Sequence, residues 1–227
     1  MSTDRELLDR ALGYPFRESA PEPPDAAPAR LPAGHAVVLA FGANASRVVL
    51  ARKLGTAAAA SVMCLEARVS GADTVFSAHV SPYGAIPATL HPSPGVVLTA
   101  RVLVLDRALL TALDATEPNY EREPLGAPVR VEVPGHGPIV AEAYRSRHGA
   151  LDLGDGPVSL SAVPARHRTL RAWSQREIHA AVRDRLEPGA DLEAFVLAAA
   201  RDGAVRAART ARMRELGEPA RGRRSRG

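Results

Sequence analysis

"VVLAFGANAS", residues 37–46, runs through four apolar residues and then breaks at Phe41-Gly42-Ala43-Asn44. A continuous apolar run suits a strand buried on both faces. The following "RVVLARKLG", residues 47–55, has Ser46 or Asn44 as a candidate cap and Gly55 as a stop, so it reads as a helix. The stretch therefore predicts a strand that turns tightly into a helix. A helix start leaves free backbone N–H groups and a partial positive charge, and Gly42 lets a partner approach the backbone closely. Such a turn either binds a carboxylate or phosphate, serves as an oxyanion site, or is simply a tight connection.

Outward from this turn the signals are mostly strands. "SVMCLEARVSG" alternates, with Met63, Leu65, Ala67 and Val69 on one face and Glu66 and Arg68 on the other. "TVFSAHV" and "AIPATLH" read as short strands around the turn "SPYG", and "GVVLTARVLVLD" as a long one. "PVRVEV" and "IVAEAYRS" flank Pro134-Gly135-His136-Gly137, a hairpin loop. Thr3 with Glu6, and Ser174 with Glu177, form capping-box pairs ahead of helices. Asp106 caps "RALLTALDA", whose Leu109, Leu110 and Leu113 share a face, and Asp191 opens a last long helix. Consecutive strands with inserted helices predict an α+β fold with a mostly antiparallel or barrel-like sheet. The expected division is a helix and proline-rich arm over 1–34, a core domain over 35–170, and C-terminal helices with a basic tail over 171–227.

The 227 residues can bury a sizeable core, and 46% hydrophobic with 24% charged residues is ordinary for a globular protein. No apolar run is long enough to span a bilayer, and "MSTDRELLDR" is acidic and polar where a signal peptide is basic and then apolar. The lone Cys64 excludes an internal disulfide, so the expected compartment is the cytoplasm, with no membrane partner. Arginine almost entirely replaces lysine, and it is dense from Arg201 onward. Without interleaved aromatics or a recognition fold, that density reads as a solvated helix and tail rather than a nucleic-acid surface.

The seven histidines have no ligand spacing, and one cysteine cannot build a thiolate site, so no metal is expected. There is no nucleophile elbow, Walker loop or dinucleotide fingerprint, and Cys64 reads as a small core residue. What remains besides the Gly42 turn is "LDATEPNYEREPL", residues 113–125. Leu113 ends an apolar helical face, Glu117 follows four residues later, and Pro118 stops the helix. Glu117 is then either a core-facing, partly buried carboxylate able to shuttle protons, or an exposed partner of Arg122.

Taken in this order, the two stretches resemble the γ-glutamylcyclotransferase-like family. Its tyrosine-glycine-serine-asparagine loop is matched by Phe41-Gly42-Ala43-Asn44. Its leucine-aspartate pair, catalytic glutamate, tyrosine and arginine are matched by Leu113-Asp114, Glu117, Tyr120 and Arg122. The likeness covers roughly residues 35–146, with Phe41 and Ala43 lacking the hydroxyls of the family loop. The resemblance implies a small mixed β-barrel with surrounding helices, extended here by C-terminal helices. It implies a small-molecule γ-glutamyl substrate, whose α-amine attacks its own γ-carbonyl to release an amine and form 5-oxoproline without any cofactor. Glu117 would be catalytic, and Phe41, Gly42, Ala43, Asn44 and Tyr120 would bind substrate, with turn N–H groups on its carboxylate or carbonyl. Selectivity for the leaving amine would then come from residues 15–34 and from the segments after Ser146.

Overall fold

The computed structural model describes residues 2–16 and 23–216. The middle of the proline-rich arm, 17–22, and the end of the basic tail, 217–227, lie outside the described residues.

The chain begins with α1 (Asp4–Leu12), β1 (Ala36–Ala40), α2 (Arg47–Leu54) and α3 (Thr56–Ala60). Two long strands follow, β2 (Met63–Phe76) and β3 (Ala88–Leu105), and then α4 (Arg107–Asp114). Next come β4 (Tyr120–Pro124), β5 (Arg130–Val133), β6 (Gly137–Ile139) and β7 (Glu142–Ser146). Short strands β8 (Ser159–Leu160), β9 (Ala165–Arg166) and β10 (Ala172–Trp173) lead into α5 (Gln175–Leu186), α6 (Leu192–Arg201) and α7 (Gly203–Leu216). The fold is α+β, and the strands form one sheet in the order β10-β8-β2-β3-β1-β7-β4, curled into a half-barrel. β5 and β9 add to β2 and β3, and β6 extends β5. Only the β1–β7 and β10–β8 pairs among the described strands are parallel.

The sheet is covered on both faces, which is why β1 reads as unbroken apolar sequence. Leu39, Leu65, Val102 and Val104 enter one core with α1 and α5–α7. Val38, Ala40, Leu103 and Leu105 enter the other, beside Leu50 of α2 and Leu113 of α4. Alternation along each strand divides its side chains between the two cores. Cys64 is a buried core residue of the second.

Two expected breaks in the strands are absent. "SVMCLEARVSG" and "TVFSAHV" form one strand, because the pairing shifts register between Ser70 and Ala72 and continues. Gly71 at that bulge has φ +86, and a Cβ there would lie 2.5 Å from the Pro128 carbonyl oxygen, so the kink requires glycine. "AIPATLH" and "GVVLTARVLVLD" merge in the same way into β3. Conversely, the last long helix divides at Asp202 into α6 and α7. The capping boxes form as expected: Thr3 Oγ1 accepts from Glu6 N at 3.3 Å, and Ser174 Oγ accepts from Glu177 N at 3.3 Å. Of the two cap candidates for α2, Ser46 is the one used.

The arginines of α7 are not simply solvated. Arg206 donates to the Ala199 and Ala200 carbonyls and Arg212 to that of Leu186, which are orphan carbonyls at the ends of α6 and α5. Arg209 is buried, pairs bidentately with Glu187 and donates to the Phe195 carbonyl. These charges tie three helices together.

The same helices hold the segment 77–87 that joins β2 to β3. Gln175, buried at the start of α5, exchanges two hydrogen bonds with the Ile86 backbone, at 3.2 and 2.6 Å. Thr210 of α7 accepts from Val80 N at 3.1 Å. Gly84 packs against Ala11 of α1 and Ala200 of α6, with no room for a larger residue.

His179 of α5 is buried, and neither ring nitrogen has a hydrogen-bond partner among the described residues. Burial, with a smaller contribution from Arg209, pushes its pKa down to about 3 from the ordinary 6.5. The folded state therefore binds fewer protons than the unfolded state between those values, so stability is lost as pH falls from about 6.5 toward 3. His179→Leu should flatten that acid limb in urea unfolding curves. At pH 7 it should be neutral or stabilising by about 1 kcal/mol, because unpaired buried polar groups are removed.

Candidate functional site

The six residues expected at the site line one cavity of about 200 Å³. Phe41 to Asn44 come from the turn after β1, and Glu117 and Tyr120 from the turn between α4 and β4. The turn after β1 is a short 3₁₀ segment, Ala43–Ala45, entered through Gly42.

Leu113, fully buried, anchors the end of α4. The chain then folds through Thr116 N to Leu113 O at 2.9 Å, Glu117 N to Asp114 O at 3.0 Å, and Tyr120 N to Glu117 O at 3.0 Å. The Asp114 carboxylate fixes this turn from behind. It accepts from Arg122 at 2.9 and 3.1 Å and from the Tyr144 hydroxyl at 2.7 Å. Burial opposes its ionisation, but these hydrogen bonds and the guanidinium charge outweigh that and hold its carboxyl below the ordinary range.

The surface reading of Glu117, as the partner of Arg122, does not hold. Arg122 lies opposite Tyr144 in the β4–β7 ladder, which carries its guanidinium to Asp114 and Glu142. The Glu117 side chain is only 11% exposed. Its Oε1 accepts from Asn44 Nδ2 at 2.8 Å and forms an ion pair with Lys53 Nζ of α2. Lys53 also donates to Asn44 Oδ1 at 2.8 Å, closing a triangle. No described residue donates to Oε2. Asn44 therefore does not cap α2; it links the two turns.

Among the described pocket residues Glu117 is the only carboxylate, and all four tyrosines of the chain, Tyr14, Tyr83, Tyr120 and Tyr144, line the cavity. The Tyr120 hydroxyl donates to the Ala88 carbonyl at 3.0 Å. Burial, with smaller contributions from Tyr14, Tyr83 and Glu117, raises its pKa well above the ordinary range. Burial likewise pushes Tyr83 up to about 12. His79, in the wall formed by 77–87, stacks on His148 with ring centroids 4.6 Å apart and bonds Ser77 Oγ through Nδ1 at 2.7 Å. Burial, then the proximity of His148, lowers its pKa to about 3, so at neutral pH it is an uncharged wall.

Sequence reasoning missed Lys53 and Tyr14. Lys53 had a signal, being the single lysine among 29 basic residues. Tyr14 sits in the N-terminal segment, outside the stretch that carries the resemblance. Of the segments expected to set leaving-amine selectivity, no described residue of 15–34 or after Ser146 lines the cavity, and 17–22 lie outside the described residues. The C-terminal helices act one layer back, through Gln175 and Thr210 on the 77–87 wall. Among the described residues no group of three or more His, Cys, Asp or Glu is arranged to hold a metal ion, and no helix is long and apolar enough to cross a membrane.

No protein-family model and no curated protein matches the sequence. Among solved structures, the chain is similar to one described as a gamma-glutamyl cyclotransferase, with 16% identity over 70% of this chain and 83% of that one and a TM-score of 0.42. It is similar to a Homo sapiens protein described as uncharacterized, with 17% identity over 72% and 86% of the two chains and a TM-score of 0.42. A protein from Arabidopsis thaliana shows 19% identity over 52% and 72%, with a TM-score of 0.41.

The floor of the pocket generates a prediction. A Cβ at Gly42 would collide with the Tyr14 hydroxyl, so the turn is approached closely by the protein's own side chain. Gly42→Ala should therefore destabilise by about 1–3 kcal/mol, the usual penalty for overpacking. In a Tyr14→Phe background the colliding atom is gone, and the penalty should fall by at least half. Urea midpoints of the four proteins check this; strict additivity would show that the two residues do not touch.

Proposed function

We propose that this protein is a γ-glutamylcyclotransferase-like enzyme, releasing an amine from a γ-glutamyl compound with formation of 5-oxoproline. One observation carries the reading: Glu117, the lone carboxylate among the described pocket residues, is hydrogen-bonded to Asn44 of the Gly42–Asn44 turn, and both line one cavity sized for an amino-acid-like ligand. The sequence resemblance supports it, because the matched turn and the matched glutamate meet in that cavity.

The chemistry asks little of the chain. The substrate's α-nitrogen bonds to its own γ-carbon, the bond to the departing nitrogen breaks, and the five-membered lactam forms. Glu117 takes a proton from the α-ammonium and gives it to the departing nitrogen, then takes the second proton that the α-nitrogen sheds as the lactam forms and passes it to the amine, which departs as an ammonium; general acid–base help of this kind gives about 10²–10⁴ in rate. Asn44 holds Oε1 in place, and Oε2, to which no described residue donates, is the oxygen that would exchange the proton. Phe41, Gly42, Ala43 and Tyr120 frame the glutamyl part and hold it folded, and the pre-paid entropy of a near-attack shape supplies several further decades.

A second reading, ligand binding without turnover, is favoured by Lys53. Its ammonium already occupies Oε1, where a substrate α-ammonium would compete for the same oxygen.

A panel of γ-glutamyl amines, γ-glutamyl amino acids and glutathione, assayed for 5-oxoproline, decides between the two. Release from any member, lost by about two to four decades in Glu117→Gln with KM within threefold, is the expected outcome. The amide leaves Lys53 without its counter-charge in a largely buried pair, so a stability penalty above the ~1 kcal/mol of a surface pair, toward ~3 kcal/mol, should accompany it. Full activity in Glu117→Gln excludes the mechanism, and ligand binding by calorimetry without product from the whole panel supports the second reading.

A further inference from the structure

We propose that Tyr14 is a ligand-binding residue, whose hydroxyl donates a hydrogen bond to an oxygen of the bound molecule at the floor of the pocket. The identity of that ligand rests on the proposed function, whereas the placement of the hydroxyl does not.

Tyr14 follows α1 and is carried into the pocket by that helix. Ala11 is fully buried against Gly84 and α6, Arg10 lies over the Tyr83 ring at 5.4 Å, and Asp4 pairs with Arg201. The Tyr14 ring is locked among Tyr83, at 6.5 Å, and Phe16, at 5.8 Å. Its oxygen is fixed on one side by the Ala88 N–H at 3.0 Å and lies directly against Gly42.

The hydroxyl has a proton to give. Its oxygen accepts from the backbone N–H of Ala88 and also meets the backbone N–H of Ala43 in the turn, and no described residue accepts from it. The hydroxyls of Tyr120 and Tyr144 differ, because they donate to the Ala88 carbonyl and to Asp114. Burial, with Tyr83 and Glu117 acting in the same sense, holds the Tyr14 phenol protonated across the working pH range, and the Ala88 N–H polarises it as a donor. Phe41 brings no hydroxyl to the turn; Tyr14 brings one from a distant part of the chain.

Its role follows from its position. Glu117 offers an acceptor at one side of the cavity, and Tyr14 offers a donor at the Gly42 turn. A ligand that carries an ammonium and a carbonyl or carboxylate oxygen meets both. A neutral donor in a water-poor floor discriminates strongly for an oxygen acceptor, because an analogue lacking it leaves the hydroxyl unpaired.

The test is Tyr14→Phe, which keeps the ring and removes the donor. Calorimetry with 5-oxoproline and with glutamate should show affinity reduced about tenfold, the usual worth of one such bond. With a turned-over substrate, a rise in KM assigns the bond to a ground-state carboxylate, and a fall in kcat of about 10²–10³ assigns it to the developing oxyanion. Replacing Tyr14 with 4-aminophenylalanine restores an N–H donor on the same ring and should recover most of the loss. A lower melting temperature with affinity and kinetics within twofold of wild type overturns the proposal, as does failure of the amino variant to recover binding. If wild-type protein binds these ligands but converts no γ-glutamyl compound, the proposed function falls and the Tyr14 comparison still reads on affinity. If it binds neither ligand, both fall.

Discussion

A carboxylate that is nine-tenths withdrawn from water must be met by donors, and Glu117 sets that requirement for the whole site. Asn44 and Lys53 meet it, and they come from the turn after β1 and from α2. The compensation therefore staples together two parts of the chain more than seventy residues apart. It also leaves Oε2 with no described donor. The pair is buried enough that removing either partner matters, and it fixes which way the α4–β4 turn can face.

Everything behind that pair works to hold the turns rigid. Asp114, Arg122, Tyr144 and Glu142 lock the end of α4 to β4 and β7. The backbone of Ala88, at the start of β3, takes the Tyr120 hydroxyl on its carbonyl and gives its N–H to Tyr14. One residue thus registers the two aromatic walls. The helices after residue 174 contribute no described residue to the cavity lining, yet they set the 77–87 wall through Gln175 and Thr210. The arginines that look like a charged surface in the sequence are largely the means by which those helices hold one another.

Much of this was legible in the sequence, for identifiable reasons. Apolar runs and caps gave β1, α2, α4 and α5, because burial on both sheet faces and free helix N–H groups leave local marks. The position of Glu117, four residues past Leu113, left a buried carboxylate and an exposed partner of Arg122 both open, because spacing alone does not say which side of a helix end meets the core. The strand breaks were misread because glycine and proline punctuate locally, whereas the long β2–β3 pairing absorbs them in a bulge at Gly71. Partners across the fold left weaker marks. Nothing near Glu117 names Lys53, although a single lysine in an arginine-rich chain was an unused clue. Nothing near the Gly42 turn names Tyr14. Its signal lay in composition: a chain with four tyrosines places all of them in one cavity.

The central claim is that the space between the Gly42–Asn44 turn and Glu117 receives the glutamyl part of a ligand. The most direct measurement is a crystal structure of the protein soaked with 5-oxoproline. The account predicts the lactam ring in this cavity, with its N–H toward Glu117 and an oxygen at the floor beside Gly42. A fully occupied ligand elsewhere on the protein, or a cavity that stays empty at saturating 5-oxoproline, contradicts it.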